Sequence, residues 1–470
     1  MLNHSSPRRL FQLLCLLIPC TMSLSSCDGS RGTGAMVWPG SNVILVSIDT
    51  LRADRLGCYG YSRRTTPQLD ELAKSSFIFE RAYAHSSNTI VSHASMLTSL
   101  HPVTHGSRPD LPLDLSFTTV AEAFRAGGYQ TAGFTTHPPW LNRKMGFAQG
   151  FEYFATKDQP AKRLNRDILY WLRSRKLQAP DGRESPFFLF IHYYDVHSDW
   201  RALPYETRTR YDRMFTGDYT GEFRGCRNGK CGSQLLLEIY KGAAHLSREE
   251  LRWVEALYDG GIAYTDNQIG RLLDILRDLD YYDSSWIVVT ADHGEEFMEH
   301  GKVLHTQPYE ETARVPLIIK PPYGQASRSI TNAIGLVDLM PTLLEGIGLE
   351  PSAEVQGRSL LPLMMDESTP DAAVYFNELE NPGNVTLRHG KHTLVTRSEF
   401  TELELYENEV DLKQKNNVSD QYPQISQRLR DMARRFYEHQ LALSHSRDIE
   451  PVTLTEEEIE QLRRLGYVAK

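Results

Sequence analysis

Beyond its first thirty residues, the 470-residue chain has no apolar run long enough to cross a bilayer, which excludes a spanning helix from the rest of the sequence. It also lacks a basic arm. Its 51 Lys and Arg stand against 60 Asp and Glu, a formal net charge of −9. A surface of that sign repels phosphate backbones and argues against nucleic acid as a partner. No low-complexity tract interrupts the chain. Cysteine is scarce, with six in all. Cys226 and Cys231 bracket Arg-Asn-Gly-Lys in a Gly-rich loop and are close enough to close a small disulfide in an oxidising compartment. Two cysteines alone are too few for a typical zinc site. Cys58 is left over and is expected to be buried and inert.

What is present begins with addressing information. Arg8 and Arg9 form a positive n-region, an apolar run follows from Leu10 to Leu24, and Leu24-Ser25-Ser26-Cys27 closes it. A small-residue cleavage site directly before a cysteine resembles a bacterial lipobox. The resemblance implies a signal peptide over 1–26, lipidation of Cys27, and an exported chain tethered to a membrane rather than embedded in it. Without residues 1–26 the mature chain carries about −11. Residues 27–41 read as a Gly- and Ser-rich tether.

From Asn42 the pattern is that of a folded core. Apolar runs at Asn42–Ile48, Phe187–His192, Trp286–Thr290 and Val315–Ile319 suit strands covered on both faces. Helical segments at Thr118–Ala126, Arg163–Arg175 and Arg248–Leu279 lie between them. Strands alternating with helices predict an α/β fold around a mostly parallel central sheet, over residues 42–365. After that come short alternating segments at Lys391–Arg397 and Glu402–Tyr406, then an amphipathic helix near Gln424–His439. These predict a small α+β subdomain over residues 366–470.

Ligands in such sheets gather at the C-terminal ends of the strands. Asp49, Asp195 with His197, and Asp292 with His293 all follow strands, so the chemistry is expected on one rim. Asp49, Asp292 and His293 are hard or borderline ligands. Two carboxylates and an imidazole would hold one divalent cation and leave positions for a nucleophile and a substrate oxygen. In Ser87-Asn88-Thr89-Ile90-Val91-Ser92-His93-Ala94-Ser95-Met96-Leu97-Thr98, several hydroxyls gather at the start of a short helix. Unpaired N–H groups there favour an anion.

These stretches resemble the sulfatases of the alkaline phosphatase superfamily across nearly the whole mature length. The matching segments are Val46–Asp54, Thr66–Ala73, Ser87–Pro102, Phe188–His197, Ala291–Gly294, Tyr309–Leu317 and the ending Leu462–Tyr467. The resemblance implies an alkaline-phosphatase-like sandwich, an anionic ester as substrate and one divalent metal ion. That ion is calcium in typical sulfatases, with manganese or zinc favoured here by the nitrogen of His293. Asp49 matches the first metal-binding aspartate, and Thr50 stands where many sulfatases carry a second. Asp292 and His293 match the later pair, where many sulfatases have Asp-Asn; the histidine resembles phosphonate- and phosphodiester-cleaving relatives. His197 matches a histidine that contacts the anionic group or the leaving oxygen, and His305 sits where relatives place a Lys or His near the same group.

Two departures follow. Sulfatases open their signature with a Cys or Ser that matures to formylglycine, followed by Pro two places on and Arg four places on. Nine places before Thr98 the present chain has Thr89, with Val91 for the Pro and His93 for the Arg. Threonine cannot become formylglycine. It can act directly as a metal-assisted nucleophile, as in the superfamily's phosphodiesterases and phosphoethanolamine transferases. Thr89 is therefore also expected beside the metal, and His93 beside the substrate. At Gly133-Phe134-Thr135-Thr136-His137 typical sulfatases show a Lys and a His that bind sulfate, and here His137 stands in for them. A Thr ester lacks the aldehyde exit that formylglycine offers and must be opened by water or another acceptor. The expected activity is metal-dependent cleavage of a phosphate-, phosphonate- or sulfate-type ester through Thr89, with a phosphorus ester favoured. True sulfatase chemistry without formylglycine and transfer to an acceptor alcohol are the alternatives, with a non-catalytic anchored binding protein that kept the fold as a more remote one.

Overall fold

The computed structural model describes residues 36–136, 140–175, 184–198, 202–217, 219–324, 327–367, 369, 373–377, 384–444 and 455–456. The expected signal peptide, Cys27 and most of the tether lie outside the described residues, as do His137 and the Leu462–Tyr467 ending. Among the described residues no helix is long and apolar enough to cross a membrane.

Nine strands form the principal sheet: β1 (Asn42–Ile48), β2 (Phe77–Tyr83), β3 (Gln130–Thr136), β4 (Tyr153–Lys157), β5 (Phe187–Tyr193), β6 (Ser285–Ala291), β7 (Arg314–Val315), β8 (Leu317–Lys320) and β9 (Arg328–Gly335). From β2 the order runs β8, β6, β1, β5, β3, β4; β7 and β9 also pair with β2. Only β7 and β8 run against the rest. The expected single strand over Val315–Ile319 is thus two, because Pro316 between them has no N–H to give to a ladder. β1 is the middle of the sheet, and its Val43–Ile48 side chains are all buried, as suits a run that is apolar at every position but Ser47.

Helices cover the sheet in two groups that pack within themselves. One holds α1 (Pro67–Ala73), α4 (Ala161–Arg175) and α5 (Arg248–Asp278). The other holds α2 (Thr89–Thr98), α3 (Val120–Ala126) and α6 (Leu339–Gly346). The long α5 starts from a capping box in which Ser247 and Glu250 satisfy each other's backbone N–H. Strands β10 (Val374–Asn377), β11 (Val385–His389), β12 (His392–Arg397) and β13 (Glu402–Glu407) make a second, antiparallel sheet, against which α7 (Pro423–Leu443) packs. The hairpin Cys226–Arg227/Lys230–Cys231 carries a disulfide between its two cysteines. Cys58 is a free, half-buried thiol that burial pushes up to about 12.

An ionic clip joins the two sheets' surroundings. His300 Nδ1 donates to Glu311 Oε1 at 2.5 Å, Nε2 donates to the Gln414 carbonyl at 2.9 Å, and the ring stacks on Tyr309 at 3.6 Å. Both ring nitrogens face acceptors, which suits the doubly protonated ring. Burial alone would lower the imidazole, but the Glu311 carboxylate outweighs it and holds His300 above its ordinary value. A raised folded value means that this stabilisation is complete below the unfolded value of about 6.5 and is lost as pH rises through the folded one. The stability advantage of the wild type over His300→Gln is therefore expected to be about 1–2 kcal/mol near pH 6 and to shrink toward pH 9, in urea melts of both proteins.

Candidate metal and ester-cleaving site

Strand register builds the centre of the site. Ile48 of β1 pairs with Ala291 of β6 and Tyr193 of β5, so Asp49 and Asp292 leave the sheet side by side at one rim. Asp49, Asp292 and His293 each offer a ligand atom, all within 4.8 Å of one another, and all three are fully buried. Asp292 Oδ1 accepts from the N–H groups of His293 at 2.9 Å and Thr50 at 3.3 Å. Thr50 takes a left-handed conformation (φ 55°), and its carbonyl accepts from the Tyr258 hydroxyl at 2.6 Å, which fixes the turn that aims Asp49. Gly294 follows because the chain passes hard against the Glu311 carbonyl; a Cβ there would lie 2.0 Å from that oxygen.

Two carboxylate oxygens in this cluster, Asp49 Oδ1 and Asp292 Oδ2, are buried without a hydrogen-bond donor. Orphaned anionic oxygens cost several kcal/mol unless a cation meets them, so the donor set fits a divalent ion. The imidazole is prepared for the same task. His293 Nδ1–H donates to the Gly294 carbonyl at 3.0 Å, which turns the Nε2 lone pair toward the carboxylates. Burial, only partly offset by His293, raises Asp49 to about 7. His293 is lowered by burial but raised more by Asp292 and Asp49, and ends above its usual value.

Thr89 opens α2 at this cluster. Its Oγ1 donates toward His293 Nε2 at 3.4 Å, and its side chain is 3% exposed. The helix is laced to the strand end by Ser92 Oγ, which donates to the Asp292 carbonyl at 2.6 Å. The expectation of unpaired N–H groups at this helix start does not hold for two of them. Asn88 caps the helix, its Oδ1 accepting from Ile90 N at 3.1 Å and Val91 N at 3.4 Å, and so it takes donors that an anion would use.

His93, expected beside the substrate, lies against the cluster itself, its Nδ1 3.7 Å from Asp292 Oδ2. Four residues into α2 it lies wholly buried beneath the cluster, where Nδ1 donates to the Thr89 carbonyl at 2.8 Å and Nε2 accepts from Ser47 Oγ at 2.9 Å. With both nitrogens committed it supports the Thr89 turn rather than meeting a ligand. Asp195 likewise turns away from the rim, and its carboxylate accepts from Ala161 N at the start of α4, at 3.0 and 3.3 Å. His197 and His305 are brought together, their ring centroids 5.2 Å apart, and the His305 ring is 4.5 Å from that of His293. His197 stacks on Tyr194 and donates from Nδ1 to the Ser198 carbonyl at 2.8 Å.

Sequence reasoning missed His192. It sits at the C-terminal end of β5, and its Nε2 donates to Asp49 Oδ2 at 3.2 Å. Burial lowers it to about 4, so it stays neutral. Its position in the motif Phe188–His197 was a signal, but an apolar strand hides which face a histidine serves. Glu295 was also passed over; it is fully buried, and its Oε2 accepts from His305 Nδ1 at 3.3 Å.

The chain is similar to known proteins over most of its length. Residues 41–349 match the family described as Sulfatase, and residues 298–440 match that described as N-sulphoglucosamine sulphohydrolase, C-terminal. An arylsulfatase of Clostridium perfringens is 26% identical over 394 residues, covering 70% of this chain and 79% of its own. The multifunctional alkaline phosphatase superfamily protein PehA of Trinickia caryophylli is 26% identical over 414 residues, covering 70% of this chain and 78% of its own. Two solved structures share the fold. The phosphonate monoester hydrolase of Agrobacterium radiobacter superposes with a TM-score of 0.68 at 20% identity, over 88% of this chain and 100% of that one. A protein solved with its substrate D-glucosamine-2-N,6-O-disulfate superposes with a TM-score of 0.69 at 20% identity, over 87% of this chain and 99% of that one. The chain belongs to the sulfatase family of ester hydrolases, within the alkaline phosphatase superfamily.

Proposed function

We propose that this protein cleaves an anionic phosphorus or sulfur ester through a covalent Thr89 ester, with phosphate or phosphonate esters preferred over sulfate. The observation that carries the reading is the Thr89 hydroxyl 3.4 Å from His293 Nε2, at the mouth of the Asp49–Asp292–His293 cluster. Asp49, Asp292 and His293 would hold one divalent ion, with manganese or zinc favoured over calcium by the nitrogen ligand. Such an ion, when bound, supplies charge that stabilises a Thr89 oxyanion and the ester's non-bridging oxygens. Thr89 Oγ1 gives up its proton to solvent and bonds to phosphorus or sulfur as the bond to the leaving oxygen breaks. His305 or His197 protonates that oxygen. Water, or an acceptor alcohol, then opens the Thr ester.

The preference rests on that last step. Formylglycine expels sulfate by re-forming its aldehyde, whereas a Thr ester needs a second attack at the central atom, a step that phosphoryl chemistry accommodates. Both chemistries have relatives: an arylsulfatase and the superfamily protein PehA among similar sequences, and a phosphonate monoester hydrolase among similar folds. The test is nitrophenol release from aryl sulfate, phosphate, phosphodiester and phosphonate esters by protein loaded with calcium, manganese or zinc. A phosphorus ester is expected to lead; aryl sulfate in front would overturn the preference. We further propose that Cys27 is lipidated and holds the exported enzyme at a membrane, so that Cys27→Ser moves it to the soluble fraction.

A further inference from the structure

Two adjacent buried acids, Glu295 and Glu296, have no part in the chemistry set out above, yet both are spent on one short segment. Glu296 holds the backbone that follows His305. Its Oε1 accepts from Thr306 N and Gln307 N at 2.9 Å each, and its Oε2 accepts from the Gln307 side chain at 2.6 Å. Glu295 holds the ring itself through His305 Nδ1. The segment is further tied by the antiparallel pairs Phe297–Val303 and Glu296–Leu304.

Glu295 in turn has little freedom. Its N–H donates to the Glu311 carbonyl at 3.0 Å, the preceding Gly294 N–H donates to the Thr312 carbonyl at 2.7 Å, and its own carbonyl accepts from Arg52 Nη1 at 3.0 Å. Its backbone is therefore held on three sides, and a buried carboxyl group hydrogen-bonded to Nδ1 sets the plane of an imidazole.

We infer that Glu295 is the positioning residue for His305: it holds the Nδ1 edge of the ring on the protein side and so fixes the plane in which the imidazole meets the leaving group of the ester. The inference rests on the proposed role of His305 in leaving-group departure. It assigns Glu295 no contact with substrate.

The experiment compares kcat and KM of the metal-loaded wild type, Glu295→Gln, His305→Ala and the double variant over aryl esters whose leaving phenols run from strongly to weakly acidic. An acidic phenol departs without help, whereas a weakly acidic one needs the positioned imidazole. Glu295→Gln is expected to change kcat by less than about threefold on the most acidic leaving group and to lower it by about a hundredfold on the least acidic, with KM unchanged. His305→Ala is expected to show the same trend, and the double variant to be no slower than His305→Ala. A uniform loss across the series would sink the assignment, as would losses that multiply in the double variant, since either is what a merely structural carboxylate would give. Thr89→Ala on the same esters separates the two levels. If it keeps full activity, the ester mechanism itself has failed. If it is inactive while Glu295→Gln shows no leaving-group trend, only the role of Glu295 has.

Discussion

Thr89→Ala is expected to lower kcat by at least about a thousandfold while leaving the metal stoichiometry at one per chain. The substitution removes a hydroxyl and a methyl group from the first residue of α2, a position where alanine is a good helix former. The cap that starts the helix is Asn88, not Thr89, so the two N–H groups it satisfies stay satisfied. The backbone N–H groups, the Gly294 carbonyl and His192 that orient Asp49, Asp292 and His293 are left in place by the substitution. Stability is therefore expected to change by less than about 1 kcal/mol. Thr89→Ser, which keeps an attacking hydroxyl, should retain a measurable fraction of the rate. The checks are single-turnover kinetics, metal analysis and a urea melt of the same preparations. A Thr89→Ala protein that turns over within tenfold of wild type would mean that water attacks directly.

Metal affinity is expected to rise at least about tenfold per pH unit up to about pH 7 and to flatten above it. The cause is competition. Burial raises Asp49 to about 7, with His293 only partly opposing it, so below that pH the metal-free site carries a proton that must leave before the carboxylate can serve as a ligand. His293, raised by its two carboxylate neighbours, adds to the same trend. Each proton displaced contributes one power of ten per pH unit. Asp292→Asn should weaken binding by at least about a hundredfold at every pH, because it removes one of only two anionic ligands. Calorimetric titrations with manganese and zinc across about pH 5.5 to 8.5 measure both effects. Affinity that does not vary with pH would place the bound ion away from Asp49.

Much of the site was legible because strand ends announce themselves. Val43–Ile48 is apolar but for Ser47 and stops at Asp49, and Trp286–Ala291, apolar but for Thr290, does the same before Asp292 and His293. Local chemistry is enough to say that such runs are buried strands and that the acids beyond them face a rim. The cysteine pair was legible for a similar reason, since four residues can close only a small loop. Thr89 was reached by spacing from Thr98 within a resemblance, not from its own chemistry. The broken strand at Pro316 was visible as a proline, but its antiparallel direction was not, because direction is set by the partner strand.

The sequence by itself therefore determined the element types, the α/β class, the small C-terminal subdomain and the trio that fits a metal ion. These follow from periodicity, apolar runs and the residues that end them, all of which act over a few neighbouring positions. Only the tertiary structure decided what each polar side chain serves. His93 meets Ser47 forty-six residues away and is buried under the site, His192 reaches Asp49 across 143 residues, and Asp195 caps a helix thirty-four residues earlier. Glu295 and His305 are only ten residues apart, yet their meeting needs the fold in the chain between Glu296–Phe297 and Val303–Leu304. A buried polar group must find a partner, and which partner it finds is fixed by strand register and packing rather than by its neighbours in the chain.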